Sequence, residues 1–225
     1  MGSEDLFHKR KARNGDALQR PKNTQTKNKR YHIVCEGAKT EPYYFRDMLA
    51  DLQVRPHVVR IAPNDGNSPD RIVAHALKLY QDDAISGDAF DAVYCVFDRD
   101  EHSTFDAAVE RIHTLSGQGT PLVAITSTPC FEVWLLLHFA CNAKPFRRVG
   151  KKTADDQVVS ALKRQPGFGS YEKSQKSVYT QLKTRMSDAL GHAAALRKQG
   201  VAMGSINPAT EIDLLVSTLL ALGKC

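Results

Sequence analysis

Between residues 31 and 139 the sequence alternates short, β-branched apolar runs with longer amphipathic stretches, and no other feature narrows the possible folds as much. The apolar runs at 31–35, 57–61, 91–97 and 121–127 predict strands. The stretches at 42–52, 69–85, 104–115 and 131–139 predict helices. Short strands alternating with longer helices are the pattern of βαβ crossovers, so the predicted fold class is α/β: a Rossmann-like, mostly parallel sheet flanked by helices. Helix starts support the assignment. Thr40 with Pro42, Ser68 with Pro69 and Asn207 with Pro208 each put a capping side chain near a first-turn Pro, and Ser103 with Asp106 has the spacing of a capping box.

Beyond residue 143 the pattern changes. A basic, irregular stretch at 144–152 and a Gly-containing loop at 166–171 separate three predicted helices, 153–164, 175–197 and 208–222. The last is apolar along Ile212, Leu215, Val216, Leu219, Leu220 and Leu222, which predicts that it docks on the core. The organisation expected is a basic tail (1–30), an α/β core (31–143), and a basic loop with a helical extension packed on that core (144–225).

Charge is concentrated at one end. Residues 1–30 hold nine Lys or Arg against Glu4, Asp5 and Asp16, which accounts for the net charge of +6. Such a tail is a solvated segment or an arm for phosphates, with Lys9, Arg10 and Lys11 as contacts and Arg147, Arg148, Lys151 and Lys152 as a second basic group. No run approaches the roughly 20 apolar residues that span a bilayer, and the N-terminus lacks the apolar core of a secretory signal, so a cytoplasmic protein without membrane association is expected. The five cysteines form no CxxC pair, and Cys35 and Cys95 fall inside apolar strands as small buried hydrophobes.

The acids carry the chemical information. Glu36 directly follows the first strand, and Asp98-Arg99-Asp100 directly follows the third. In an open parallel sheet the strand ends line one edge, and ligands bind in the crevice outside the carboxyl ends. Carboxylates gathered there repel one another unless protons or cations intervene, and oxygen donors without a His or Cys cluster favour Mg²⁺ or Mn²⁺. Phosphoryl transfer or phosphodiester cleavage is the chemistry implied. An isolated Asp-x-Asp also serves as a simple turn cap; two motifs at two strand ends favour the metal. Glu41 faces the same site or merely favours the helix start beside Pro42. Glu132, in the first turn of an otherwise apolar helix, is a metal ligand, an orienting group or a helix-dipole acid. Lys39 lies on the loop after Glu36 as a candidate catalytic phosphate contact.

Residues 31–45 (YHIVCEGAKTEPYYF), 92–100 (AVYCVFDRD), 128–139 (TPCFEVWLLLHF) and 207–210 (NPAT) resemble the RloB family, found beside restriction and phage-defence genes. That family is similar to TOPRIM proteins, in which a strand-end Glu and a later Asp-x-Asp bind Mg²⁺. The resemblance implies a TOPRIM-type core with Glu36, Asp98 and Asp100 as catalytic metal ligands. His102 stands where many TOPRIM domains have a further acid, so a second ion would draw on Glu132, Glu41 or Glu101. The resemblance also implies an ABC or SMC-like ATPase partner; the chain has no Gly-x-x-x-x-Gly-Lys-Ser/Thr loop of its own, so any ATP dependence would come from that partner.

The expected function is thus a Mg²⁺-dependent nuclease acting on DNA or structured RNA in anti-phage, abortive-infection defence, and homo-oligomers are compatible with it. The alternative is a non-catalytic nucleic-acid-binding or regulatory subunit of an ATPase-containing complex. A receiver-like or dehalogenase-like phosphotransfer domain ranks last, because dehalogenase-type phosphatases have Thr or Val where His102 stands and receivers do not require Glu36-Gly37.

Overall fold

A computed structural model describes residues 29–63, 68–87, 89–99 and 103–223. The tail residues Lys9, Arg10 and Lys11, and the strand-end residues Asp100, Glu101 and His102, lie outside them. The strands are β1 (Tyr31–Cys35), β2 (Val59–Ile61), β3 (Ala92–Asp98), β4 (Leu122–Thr128) and β5 (Ala209–Thr210). They form one sheet in the order β2-β1-β3-β4-β5, with every pairing parallel except β4 with β5. The α/β fold class and the mostly parallel sheet are as the alternation predicts.

The strands are covered on both faces because their side chains alternate between two apolar surroundings. Ile33, Cys35, Val96 and Ile125 point to one face, whereas Val34, Val93, Cys95 and Phe97 point to the other. The second face is closed by α2 (Pro69–Ile85) and α3 (Phe105–Gly117), through Ile72, Val73, Ala76, Ala108 and Ile112. The first is closed by α1 (Thr40–Asp51) and α4 (Glu132–Leu137), and then by the C-terminal helices α5 (Ala154–Leu162), α6 (Val178–Leu182), α7 (Met186–Met203) and α8 (Ile212–Leu222). Ile212, Leu215, Val216 and Leu219 of α8 are fully buried, as their spacing predicts. At roughly 1.5–3 kcal/mol for each buried Leu, Ile or Val side chain, this face dominates the docking of the C-terminal extension. Cys35 and Cys95 are buried in the core. Among the described residues no helix is long and apolar enough to cross a membrane.

Several local expectations are corrected. The 175–197 helix is broken: α6 ends at Leu182, a 3₁₀ turn spans Lys183–Arg185, and only then does α7 begin. Tyr179 and Lys183 both reach Asp51 of α1, at 3.0 and 2.6 Å, and fix α6 against that helix. The 208–222 helix starts four residues late, because Ala209 and Thr210 pair with the end of β4. Asn207 caps no helix; its side chain holds both backbone groups of Phe146. Asp106 joins Arg99 at 3.0 Å instead of a capping box, and Thr40 accepts from the backbone N–H of Ser174. A capping box does occur, at Thr153 and Asp156 of α5.

Candidate functional site

In the sheet order, β1 leads outward to β2 while β3 lies on its opposite side, so the switch in winding direction falls between β1 and β3. Glu36 and Asp98 sit at the carboxyl ends of those two strands. Glu36 continues the ladder through its N–H to Val96, and one of its carboxylate oxygens accepts the backbone N–H of Asp98 at 3.0 Å. Glu36 and Asp98 are therefore adjacent at the place where an open α/β sheet binds its ligand.

Around this pair a cavity of about 350 Å³ is lined by Glu36, Gly37, Thr40, Glu41, Asp98, Glu132, Asp155 and Lys173, among others. Glu41 comes from the first turn of α1 and is buried. Its carboxylate accepts the N–H groups of Gly37 and of Glu41 itself. A Cβ at Gly37 would lie 2.7 Å from Glu41 Cδ, so a side chain there would displace the Glu41 carboxylate. The Glu36-Gly37 dipeptide thus seats two acids: one in the first residue, the other over the second.

Glu132 opens α4 and is almost fully buried, held by the Tyr171 hydroxyl at 3.1 Å and by Lys173 at 3.6 Å. Asp155, in the first turn of α5, takes the same lysine at 3.3 Å. Asp98 accepts the N–H of Phe131, just ahead of α4.

The electrostatics follow from this crowding. Burial, then the neighbouring Glu132 and Glu36, push the Glu41 carboxyl from 4.5 up to about 7, against the pull of the backbone N–H groups. Burial, then Glu41 and Glu132, push Asp98 well above the ordinary carboxylate range. Burial and the Glu132 charge likewise raise the Tyr171 hydroxyl. Burial disfavours the charge on Lys173, but Glu132, Cys130 and Asp155 outweigh it and hold the ammonium firmly protonated. Without a bound cation, the site keeps protons on acids that water would ionise.

The donors are carboxylate oxygens at the ends of β1 and β3 and in the first turns of α1 and α4, the kind of donor a hard divalent ion takes. Each acid nonetheless has its own local partners, and among the described residues no three acid, His or Cys side chains close around one ion position.

The structure gathers Glu36, Asp98, Glu41 and Glu132. Lys39 is exposed and does not line the cavity. Arg147, Arg148, Lys151 and Lys152 are exposed on a turn, closed by Val149 with Lys152, that leads directly into α5 and Asp155. Asp155, Tyr171 and Lys173 were not foreseen. Asp155 has the local pattern of a first-turn helix acid, and Lys173 stands in an irregular segment with no periodicity to mark it.

A larger cleft of about 800 Å³, mainly apolar, lies between α3, the β4 edge and the end of α7. Among the described residues that line it the one acid is Glu211, which accepts the N–H and hydroxyl of Thr126 at 2.9 and 2.8 Å. No curated protein and no solved structure matches the chain. Residues 31–219, from the start of β1 into α8, match the model of the family described as RloB-like protein, and the chain belongs to that family.

Proposed function

We propose that this RloB-like protein is a Mg²⁺- or Mn²⁺-dependent nuclease of the TOPRIM kind that cleaves DNA or structured RNA in phage defence. The observation that carries the reading is the gathering of Glu36, Asp98, Glu41 and Glu132 in one cavity at the β1–β3 switch point, where burial and mutual repulsion raise Glu41 and Asp98. Such a cluster attracts a divalent ion, and a phosphodiester oxygen completes the ion's shell. When bound, the ion would polarise the phosphate and stabilise the charge that develops on it.

Glu36 and Asp98, with Asp100 two residues further along the chain, would hold the ion. Glu41 and Glu132 would complete or orient the ligand set, the latter positioned by Tyr171. The reaction is hydrolysis: a water oxygen bonds to phosphorus, the P–O bond to the leaving sugar oxygen breaks, and the water's proton ends on that oxygen. Arg147, Arg148, Lys151 and Lys152, exposed on the approach to Asp155, would guide the phosphate backbone, together with the 1–30 arm. An ABC or SMC-like ATPase partner, homo-oligomer formation and a cytoplasmic location belong to the same reading.

The second reading, a regulatory nucleic-acid-binding subunit, draws on one observation: among the described residues no three donors already close around an ion. The test is incubation of the full-length protein with plasmid DNA and total RNA in Mg²⁺, Mn²⁺ or EDTA, with and without an ATPase partner. Metal-dependent cleavage of either polymer supports the nuclease; binding without cleavage in every arm supports the regulatory subunit.

A further inference from the structure

The acid cavity has one basic side chain among the described residues that line it, and that side chain comes from the C-terminal extension. Lys173 Nζ lies 3.3 Å from Asp155 Oδ2 and 3.6 Å from Glu132 Oε2. Only the first is a hydrogen bond, and an ammonium has three protons to donate. The side chain is 49% exposed, so the head sits at the mouth of the cavity.

The segment that carries Lys173 is fixed on both sides. Tyr171 is fully buried and bonded to Glu132. Ser174 has φ of +77°, a left-handed conformation uncommon for a residue with a side chain, and its N–H is held by Thr40 Oγ1 at 3.0 Å. Lys176 then lies over the Tyr43 ring at 5.6 Å. Contacts to α1 on one side and to α4 on the other over-determine a backbone that projects one cation over the acid edge.

We propose that Lys173 is a catalytic residue that binds the incoming phosphate, its ammonium meeting a non-bridging oxygen of the phosphodiester while Asp155 and Glu132 aim it. The proposal rests on the nuclease reading of the same cavity and names the group that reading lacks, a cation within the cavity for the substrate anion. Lys173 makes and breaks no bond; it places the phosphate and offsets charge as it develops. Ligands with a phosphodiester monoanion are the class selected, whether deoxyribose or ribose.

The experiment measures binding of short single-stranded DNA and RNA oligonucleotides in Ca²⁺, across a salt series, for the full-length wild type, Lys173→Gln and Lys173→Arg. Loss of one phosphate contact lowers the slope of log affinity against log salt by about 0.7 for a single strand. The expected result is that drop in Lys173→Gln, its recovery in Lys173→Arg, and at least a tenfold loss of any Mg²⁺-dependent cleavage in Lys173→Gln. An unchanged slope in a folded Lys173→Gln overturns the proposal, even if the wild type cuts. A lowered slope with a wild type that never cuts supports the contact and removes the nuclease reading instead. If Lys173→Gln does not fold, amine labelling of the wild type decides. Bound oligonucleotide should protect Lys173 several-fold, and equal labelling with and without it overturns the proposal.

Discussion

Glu41→Gln should remove Glu41's share of the alkaline destabilisation of the metal-free protein. Glu41 is buried, and its carboxyl is raised from 4.5 to about 7 by burial, Glu132 and Glu36. A group whose folded value is raised contributes fully below the unfolded value and loses that contribution as pH rises through the folded one. The loss therefore begins above pH 4.5 and is nearly complete by pH 8. At 1.36 kcal/mol per unit it totals roughly 3 kcal/mol, most of which falls between pH 5 and 8. His32 and His138, each lowered to about 4 by burial, act with the opposite sign below about 6.5. They are common to both proteins and cancel in the difference. The assay is urea unfolding of wild type and Glu41→Gln in EDTA at a series of pH values. The stability of the variant relative to wild type should rise by about 2–3 kcal/mol from pH 5 to pH 8. A difference that stays flat across that range would refute the account of Glu41 as a repelled, buried acid in this cavity.

Mg²⁺ added at pH 8 should raise the wild-type unfolding free energy, by about 2.7 kcal/mol at a hundredfold excess over its dissociation constant, and raise Asp98→Asn far less. Gly37→Ala should destabilise by roughly 1–3 kcal/mol in urea unfolding and weaken Mn²⁺ binding, because the added methyl meets the Glu41 carboxylate. Neutralising Arg147, Arg148, Lys151 and Lys152, or removing residues 1–29, should lower the salt slope of binding without changing sequence preference.

How much of this was legible in the sequence depended on the range of the interaction. β1 and α2 have the predicted bounds, because apolar alternation and the Pro69 start are local signals. Glu36 and Asp98 could be placed together before any coordinates, since the ends of β1 and β3 must share an edge once the sheet is parallel. Glu41 was ambiguous: a first-turn acid is favourable at any helix start, and only the close packing over Gly37 turns it inward. Asp155, Tyr171 and Lys173 were invisible because their place depends on the extension folding back over α1 and α4. The broken helix at 183–185 was missed for a related reason, since helix-forming residues stand on both sides of it and its contacts to Asp51 are long-range.

The most direct test of the proposed metal-dependent active site compares wild type with Asp98→Asn and Glu36→Gln for Mg²⁺-dependent cleavage and for nucleic-acid affinity, with any ATPase partner present. Losing a ligand of the ion removes its stabilisation of the developing charge, whereas the basic segments that hold the phosphate backbone are untouched. The account predicts retained affinity and cleavage reduced by orders of magnitude in both variants. Cleavage at the wild-type rate in both would contradict it.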